Sequence, residues 1–429
     1  MTSSATPAPF TVGWFAGWGV PDWSGPWAGD AVQSWVDGTF TVETVRDLER
    51  AGVDLVVMED LNYLSDVVGG TFEQELRTTA RAPKHDPVVL MSRLAAETER
   101  IGLIATASTT FWPPVELART YATLDHLTGG RVGWNVVTST GDRAAQNFGL
   151  DALPGHATRY ATAAEYLEVV HALWRDGSVE HHGEHLEVSG RTGTRTPAAG
   201  RPVVCQAGAS AAGTALAGRF ADVVVSYPPG VEAMREFRDQ VRAAAEAAGR
   251  DPDDVQVLYL VTPHLGETEE LAAEAAARYY DPTDAAVRRR LVQMSGDVDF
   301  SAFDLDAPLP DDVSTEGSRS ILDNLRRVAA GRTLREFIGS QRSEAVRLVG
   351  TAASVADQME DVLAQVGGDG FLLFGGGGGV LTRRYVRELC DGLMPELRRR
   401  GLAGVPGDDR PGATLRDRLR DRRREGVLR

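Results

Sequence analysis

A chain of 429 residues with 42% hydrophobic composition can bury a full core, and its length suits either one large α/β barrel with insertions or two ordinary domains. Its 45 Lys plus Arg against 61 Asp plus Glu give a formal net charge of -16, which repels phosphate backbones and anionic lipid and argues against nucleic acid or membrane partners. The two cysteines, Cys205 and Cys390, make neither a disulfide framework nor a zinc spacing. Met1 to Phe10 lacks a basic region followed by an apolar run, and no segment approaches the roughly 18 uninterrupted apolar residues of a membrane span, so a cytoplasmic protein is expected.

In chain order, a short apolar run at Thr11 to Trp18 is followed by a helix-like segment at Val42 to Ala51 that leads into a strand at Asp54 to Glu59. A helix at Pro87 to Glu99, a strand at Ile101 to Ala107, a helix at Val115 to Leu127 and a strand at Arg131 to Val137 continue the βαβ rhythm of a parallel sheet. Next come a long helix from His156 to Trp174, a small hairpin around Glu180 to Val188, a strand at Pro202 to Gln206, a helix at Ala211 to Phe220 and a strand at Asp222 to Ser226. Val231 to Ala248, Val255 to Val261, Thr268 to Tyr279, Ser354 to Val366 and Gly370 to Phe374 complete about eight strand-helix units, the count of a TIM (β/α)8 barrel.

Between residues 281 and 339 the pattern loosens around Pro282, Pro308 and Pro310 and the acidic Asp304, Asp306, Asp311 and Asp312, which reads as an insertion at the barrel mouth, forming a lid or a substrate wall. Near the end, Arg410, Arg416, Arg418, Arg420, Arg422, Arg423, Arg424 and Arg429 interleave with Asp417 and Asp421, as on a solvated terminal helix or arm over about 402–429. No internal repeat and no composition shift marks a second domain, so residues 1–429 are expected to form one barrel domain with these additions.

Barrel enzymes place chemistry at the carboxyl ends of the strands. The residues closing the apolar runs are Asp60, Thr106, Ser108, Asn135 and the turn Ala207-Gly208-Ala209-Ser210, none of which resembles a nucleophile with its base. The small residues from Gly208 to Gly213 open a helix, where exposed backbone N–H groups and the Ser210 hydroxyl could hold a phosphate; Ser210 as a plain N-cap explains the same residues equally well. His156 and Tyr160 stand four apart on one helix face beside Arg159, as surface caps or as a second phosphate contact. His181, His182 and His185 sit in a hairpin without the helical spacing of a zinc site, and no metal is expected. The run Gly375 to Gly379 lacks the Lys and Ser or Thr of a P-loop and reads as a mouth loop. Five of the eight tryptophans (Trp14, Trp18, Trp23, Trp27, Trp35) precede residue 40 and suggest the wall of an apolar or aromatic pocket.

Several longer stretches carry a family resemblance. Lys84-His85-Asp86-Pro87, Leu94 to Leu103, Ala105-Thr106-Ala107-Ser108-Thr109, Leu124 to Arg131, Gly133 to Ser139, Ala144 to Gly149, His156 to Tyr160 and Arg201 to Ser210 resemble the bacterial-luciferase-like flavin monooxygenases. They are similar in particular to the branch with nitrilotriacetate monooxygenase component A and dibenzothiophene sulfone monooxygenase. Shorter pieces (Val349-Gly350-Thr351, Gly367 to Phe371, Pro395-Glu396-Leu397) extend it over nearly the whole chain.

The resemblance implies a TIM barrel, FMN taken up as FMNH2 from a separate NAD(P)H:flavin reductase, O2 as co-substrate, and a homodimer or homotetramer. It implies oxygen transfer to a small-molecule substrate through a flavin C4a-hydroperoxide, with the cofactor carrying the hard step. It matches Asp60, Thr106, Asn135, His156, Tyr160, Ala209 and Ser210 to flavin-contacting positions. Many members carry a histidine near the first strand; here none precedes His85 and Trp18 lies in that region, so no catalytic residue is carried over. The tryptophans favour a hydrophobic or aromatic substrate. The alternatives are a deazaflavin-dependent oxidoreductase and a non-catalytic flavin-binding protein.

Overall fold

The computed structural model of the chain describes residues 9–17, 31–78, 81–197, 200–280, 287, 290–292, 299–300, 303–308, 331–340, 344–374, 381–405, 407 and 410–427. Eight parallel strands close into a barrel in sequential order: β1 (Thr11–Ala16), β2 (Leu55–Met58), β3 (Gly102–Ser108), β4 (Val132–Val137), β5 (Val203–Ala207), β6 (Val223–Ser226), β7 (Gln256–Val261) and β8 (Gly370–Phe374), with β8 pairing back to β1. These are the strands read from the apolar runs: β8 coincides with its run, β3 and β5 are shifted by one residue, and the others are shorter by one or two. Closure leaves both faces of every strand covered, which is why the runs are continuously apolar and not alternating.

The two faces build two cores. Leu55, Val57, Ile104, Cys205, Leu258 and Leu372 fill the lumen. Val12, Trp14, Leu103, Trp134 and Val257, at the intervening positions, pack outward against the helices. The outer ring comprises α1 (Thr39–Ala51), α2 (Pro87–Glu97), α3 (Pro114–Thr128), α4 (His156–Asp176), α5 (Ala211–Phe220), α6 (Val231–Ala247), α7 (Ala352–Val366) and α8 (383–399). Local chemistry sets their starts: the Asp86 carboxylate accepts from the N–H groups of Val88 and Val89, with Pro87 in the first turn of α2, and Thr351 caps α7 through Ser354.

The arginine-rich tail is not a solvated arm. Its helix α9 (Leu415–Val427) docks under the amino-terminal end of the barrel, where Leu415 and Leu419 join the lumen core. Gly102 makes room for this: a Cβ there would lie 2.5 Å from Leu415 Cδ1. The arginines pair with carboxylates at the strand entrances, Arg416 with Asp222 at 3.3 Å, Arg420 with Asp254 at 2.9 Å, and Arg422 with Asp54. Charge that looks like surface in the sequence is therefore half-buried, because the open bottom of a barrel needs both an apolar plug and partners for the loop carboxylates.

At the opposite end, the described parts of residues 281–339 form a small core of their own, in which Val287, Leu291, Phe300, Leu334 and Phe337 pack with Val68 from the loop after β2. A buried ion pair, Arg81 Nη2 to Glu75 Oε2 at 2.9 Å, sits under this contact. The same guanidinium donates to the Val292 carbonyl at 3.0 Å, tying the β2 loop to the insertion.

Candidate active site

The strand-end polar residues gather on one arc of the mouth, from β2 to β5. Thr106 and Asn135 are register partners on β3 and β4, and both are buried. Asn135 Nδ2 donates to Thr106 Oγ1 at 2.8 Å, and Thr106 Oγ1 donates to the Met58 carbonyl at 2.7 Å, two residues before Asp60. This chain consumes the amide's donor and leaves its acceptor over: Asn135 Oδ1 is buried without a hydrogen-bond partner among the described residues. A buried acceptor without a donor costs roughly 1–3 kcal/mol, so this oxygen calls for a donor beyond the described residues.

Asp60 follows the end of β2, with its Oδ1 accepting from the Leu61 N–H at 2.8 Å and its Oδ2 from Asn62 Nδ2 at 2.7 Å. Burial raises its carboxyl above the ordinary range, and the Lys84 ammonium and these two hydrogen bonds offset part of that rise. Lys84 itself bonds Glu59 Oε1 at 2.6 Å.

Beside this arc lie two helix starts. Gly155 precedes α4, and in its first turns the His156 and Tyr160 rings stand 4.8 Å apart, as the four-residue spacing requires. Tyr160 reaches the β5 turn: a Cβ on Gly208 would lie 3.2 Å from Tyr160 Oη and 2.8 Å from Gln206 Nε2, so a larger residue would push the Gln206 amide aside. Ser210 caps α5, its Oγ accepting from the Gly213 N–H at 3.1 Å while its carbonyl accepts from Thr214 at 2.8 Å. Ser210 is thus a true N-cap. That role uses Oγ as an acceptor and leaves the hydroxyl proton to donate outward, and the N–H groups of Ala211 and Ala212 have no partner among the described residues. Ala209 and Ser210 are exposed, so the donors of this helix start face open space, the arrangement that binds a phosphate.

Two polar groups of the same mouth were not singled out from the sequence. Gln206, next to last in β5, has a buried Oε1 without a partner among the described residues. Ser139 adopts φ 59° just beyond β4 and donates to Ser108 Oγ at 2.7 Å. The signal for both was position at a strand end; their small-residue surroundings masked it.

Other candidates resolve elsewhere. His181 Nε2 meets Glu165 Oε1 at 2.8 Å, and Glu165 also accepts from the His185 and Leu186 N–H groups, so this carboxylate on α4 anchors the hairpin. Trp14 is buried in the outer core and Trp35 stacks on His85 with centroids 4.3 Å apart. Trp18, Trp23 and Trp27, the Gly375 to Gly379 run, and Pro282, Pro310, Asp311 and Asp312 lie outside the described residues.

The fold is a closed parallel TIM barrel, and its mouth brings a buried amide oxygen without a partner among the described residues beside a small-residue helix start, an arrangement suited to a hydrogen-bonding, anionic ligand. Comparison with known proteins gives that arrangement its chemistry. Residues 11–370 match the luciferase-like monooxygenase family. The chain is 31% identical to dibenzothiophene-sulfone monooxygenase of Rhodococcus erythropolis, covering 95% of each chain. It is 32% identical to nitrilotriacetate monooxygenase component A of Aminobacter aminovorans, covering 89% of this chain and 90% of that one. The crystal structure of DmoA from Hyphomicrobium sulfonivorans superposes with a TM-score of 0.80 at 30% identity, covering 96% of this chain and 92% of that one.

The chain belongs to the luciferase-like monooxygenase family. It is a reduced-FMN-dependent monooxygenase of the two-component kind, using O2 as co-substrate and flavin reduced by a separate protein. No helix of the described residues is long and apolar enough to cross a membrane.

Proposed function

We propose that this chain is a cytoplasmic oxygenase component, a homodimer or homotetramer, that receives FMNH2 from a separate NAD(P)H:flavin reductase and oxygenates a small hydrophobic or aromatic substrate. Asp60, Thr106 and Asn135 would meet the isoalloxazine and ribityl parts of the flavin, and His156, Tyr160, Ala209 and Ser210 would hold its phosphate. When bound, the reduced flavin supplies the activation of O2 and the oxygen atom transferred. The chain's own part is to bind, orient and exclude water. The buried Asn135 Oδ1 takes a donor, the Gly208 gap lets a ligand approach the backbone, and the α5 amides with the Ser210 hydroxyl neutralise an anion. The 281–339 insertion would serve as a wall or lid at the mouth within a single 1–429 domain, a role supported by the packing of its described residues on the β2 loop through Val68 and Arg81.

The observation that carries this reading is the pairing of the unsatisfied Asn135 Oδ1 with the small-residue start of α5 on adjoining strands. Ser210→Asp tests it, because aspartate is as good an N-cap as serine yet places a negative charge where the phosphate would sit. Fluorescence titration of the variant is expected to show FMN affinity lowered by about tenfold or more, with riboflavin, which lacks the phosphate, held as before. Equal FMN affinity in the two proteins would move the phosphate away from α5.

A further inference from the structure

A cleft with a cavity volume of about 100 Å3, partly open to solvent, lies beside the polar arc. It starts at the carboxyl ends of β1 and β2, at Ala16, Gly17 and Glu59, and runs behind the barrel wall between α1 and α2. Trp14, Phe15, Trp35, Phe40, Met58 and Leu90 give it an aromatic and aliphatic lining. The outer wall is the Trp35–His85 stack, with ring planes 8° apart, and His85 Nε2 is 3.2 Å from the Val36 carbonyl, which fixes the pair to the chain before α1. That space takes several water-sized groups, more than the voids left by ordinary core packing.

Its polar end carries a charge preference. Glu59 and Lys84 line the cleft as an ion pair at 2.6 Å, and Asp60 lies close enough to both Lys84 and Asp86 to interact electrostatically. Two carboxylates, Glu59 and Asp60, thus share one ammonium that Glu59 already engages. A carboxylate or sulfonate entering here would meet like charge beside an engaged ammonium, whereas a neutral ring system would gain the apolar lining.

We infer that this cleft, through Trp35, His85 and Leu90, is the specificity pocket for the substrate's ring system and selects a neutral aromatic molecule over its anionic counterparts. The inference rests on the monooxygenase reading for the word substrate, and on the cleft alone for the binding. Glu59 lines the cleft and Asp60 follows it in the chain, so the β2 end of the cleft adjoins the polar arc.

The test is isothermal titration calorimetry on the full chain with FMN bound, using 2-naphthalenemethanol as the neutral probe and 2-naphthoate as the anionic one. The alcohol is expected to bind about tenfold or more tightly than the acid, and Leu90→Trp, which fills the cleft, to weaken the alcohol by about tenfold or more. Thr41→Phe, on the α1 side of the cleft, fills the same space and serves if Leu90→Trp fails to fold. Affinity for the alcohol that neither filling variant changes, or acid bound as tightly as alcohol, overturns the inference. FMN affinity is measured on the same samples: flavin bound normally while the probes ignore the cleft defeats this inference alone, whereas no flavin binding by the wild-type chain defeats the cofactor site proposed above.

Discussion

Replacing His171 with phenylalanine should remove a specific part of the enzyme's acid sensitivity. His171 lies on α4 with its ring 5.8 Å from Trp174 and 5.6 Å from Phe220, and its Nε2 is buried without a partner among the described residues. Burial, reinforced by the Arg201 guanidinium, pushes the imidazole down to about 3. Because the folded pKa lies below the unfolded value of 6.5, the unfolded chain takes up the proton first as pH falls. The native state therefore loses stability progressively from about pH 6.5 downward, until the folded imidazole also protonates near pH 3. Linkage over the interval from pH 7 to pH 5 amounts to about 1.9 kcal/mol for one such group. The carboxylate of Asp222 does not blur this window: burial raises it, but Arg201 and Arg416 outweigh that and hold it at about 2, so its contribution is lost only below the ordinary carboxylate range. Urea unfolding of wild type and His171→Phe at pH 7 and pH 5 isolates the term, since every other titrating group cancels in the difference. Wild type should lose about 2 kcal/mol more than the variant. Losses equal within about 0.5 kcal/mol would refute the assignment of a buried neutral histidine.

Leu415→Ala should cost roughly 2–5 kcal/mol, because the side chain fills the barrel bottom against Gly102 and the rigid strands cannot collapse onto the space; a thermal melt with no shift would return α9 to the surface. Arg81→Met leaves Glu75 buried without its cation and removes the bond to the Val292 carbonyl. Hydrogen exchange at 68–75 should then accelerate while the barrel strands stay protected, and unchanged exchange would show that the pair does not hold the insertion to the β2 loop.

Much of the fold was legible because the barrel repeats one local rule. A strand buried on both faces reads as a short apolar run, and an amphipathic helix follows it; Val56-Val57-Met58 and Leu103-Ile104 announce themselves without any knowledge of their neighbours. The candidate site was legible for a related reason: polar residues such as Thr106 and Asn135 at the ends of such runs have no business there unless a ligand or a network uses them. The functional split within those residues was not. Whether Asn135 donates, accepts or does both depends on the register between β3 and β4, which closure of the whole barrel sets. Ser210 illustrates the limit in the other direction, since the hydroxyl that caps α5 is the one proposed to face an anion, and a sequence does not separate the two uses.

Local pattern in this chain determined the barrel, the order of its strands and the arc of polar residues at its mouth. Tertiary structure decided where the charged tail belongs, sending Arg416, Arg420 and Arg422 to Asp222, Asp254 and Asp54 at the barrel bottom in place of solvent. It likewise decided that Glu75 and Arg81 lie buried and that a cleft opens behind β1 and β2. The division has a physical origin: hydrophobic periodicity is written within a dozen residues, whereas the burial of a charge or the shape of a cavity depends on which distant surfaces meet.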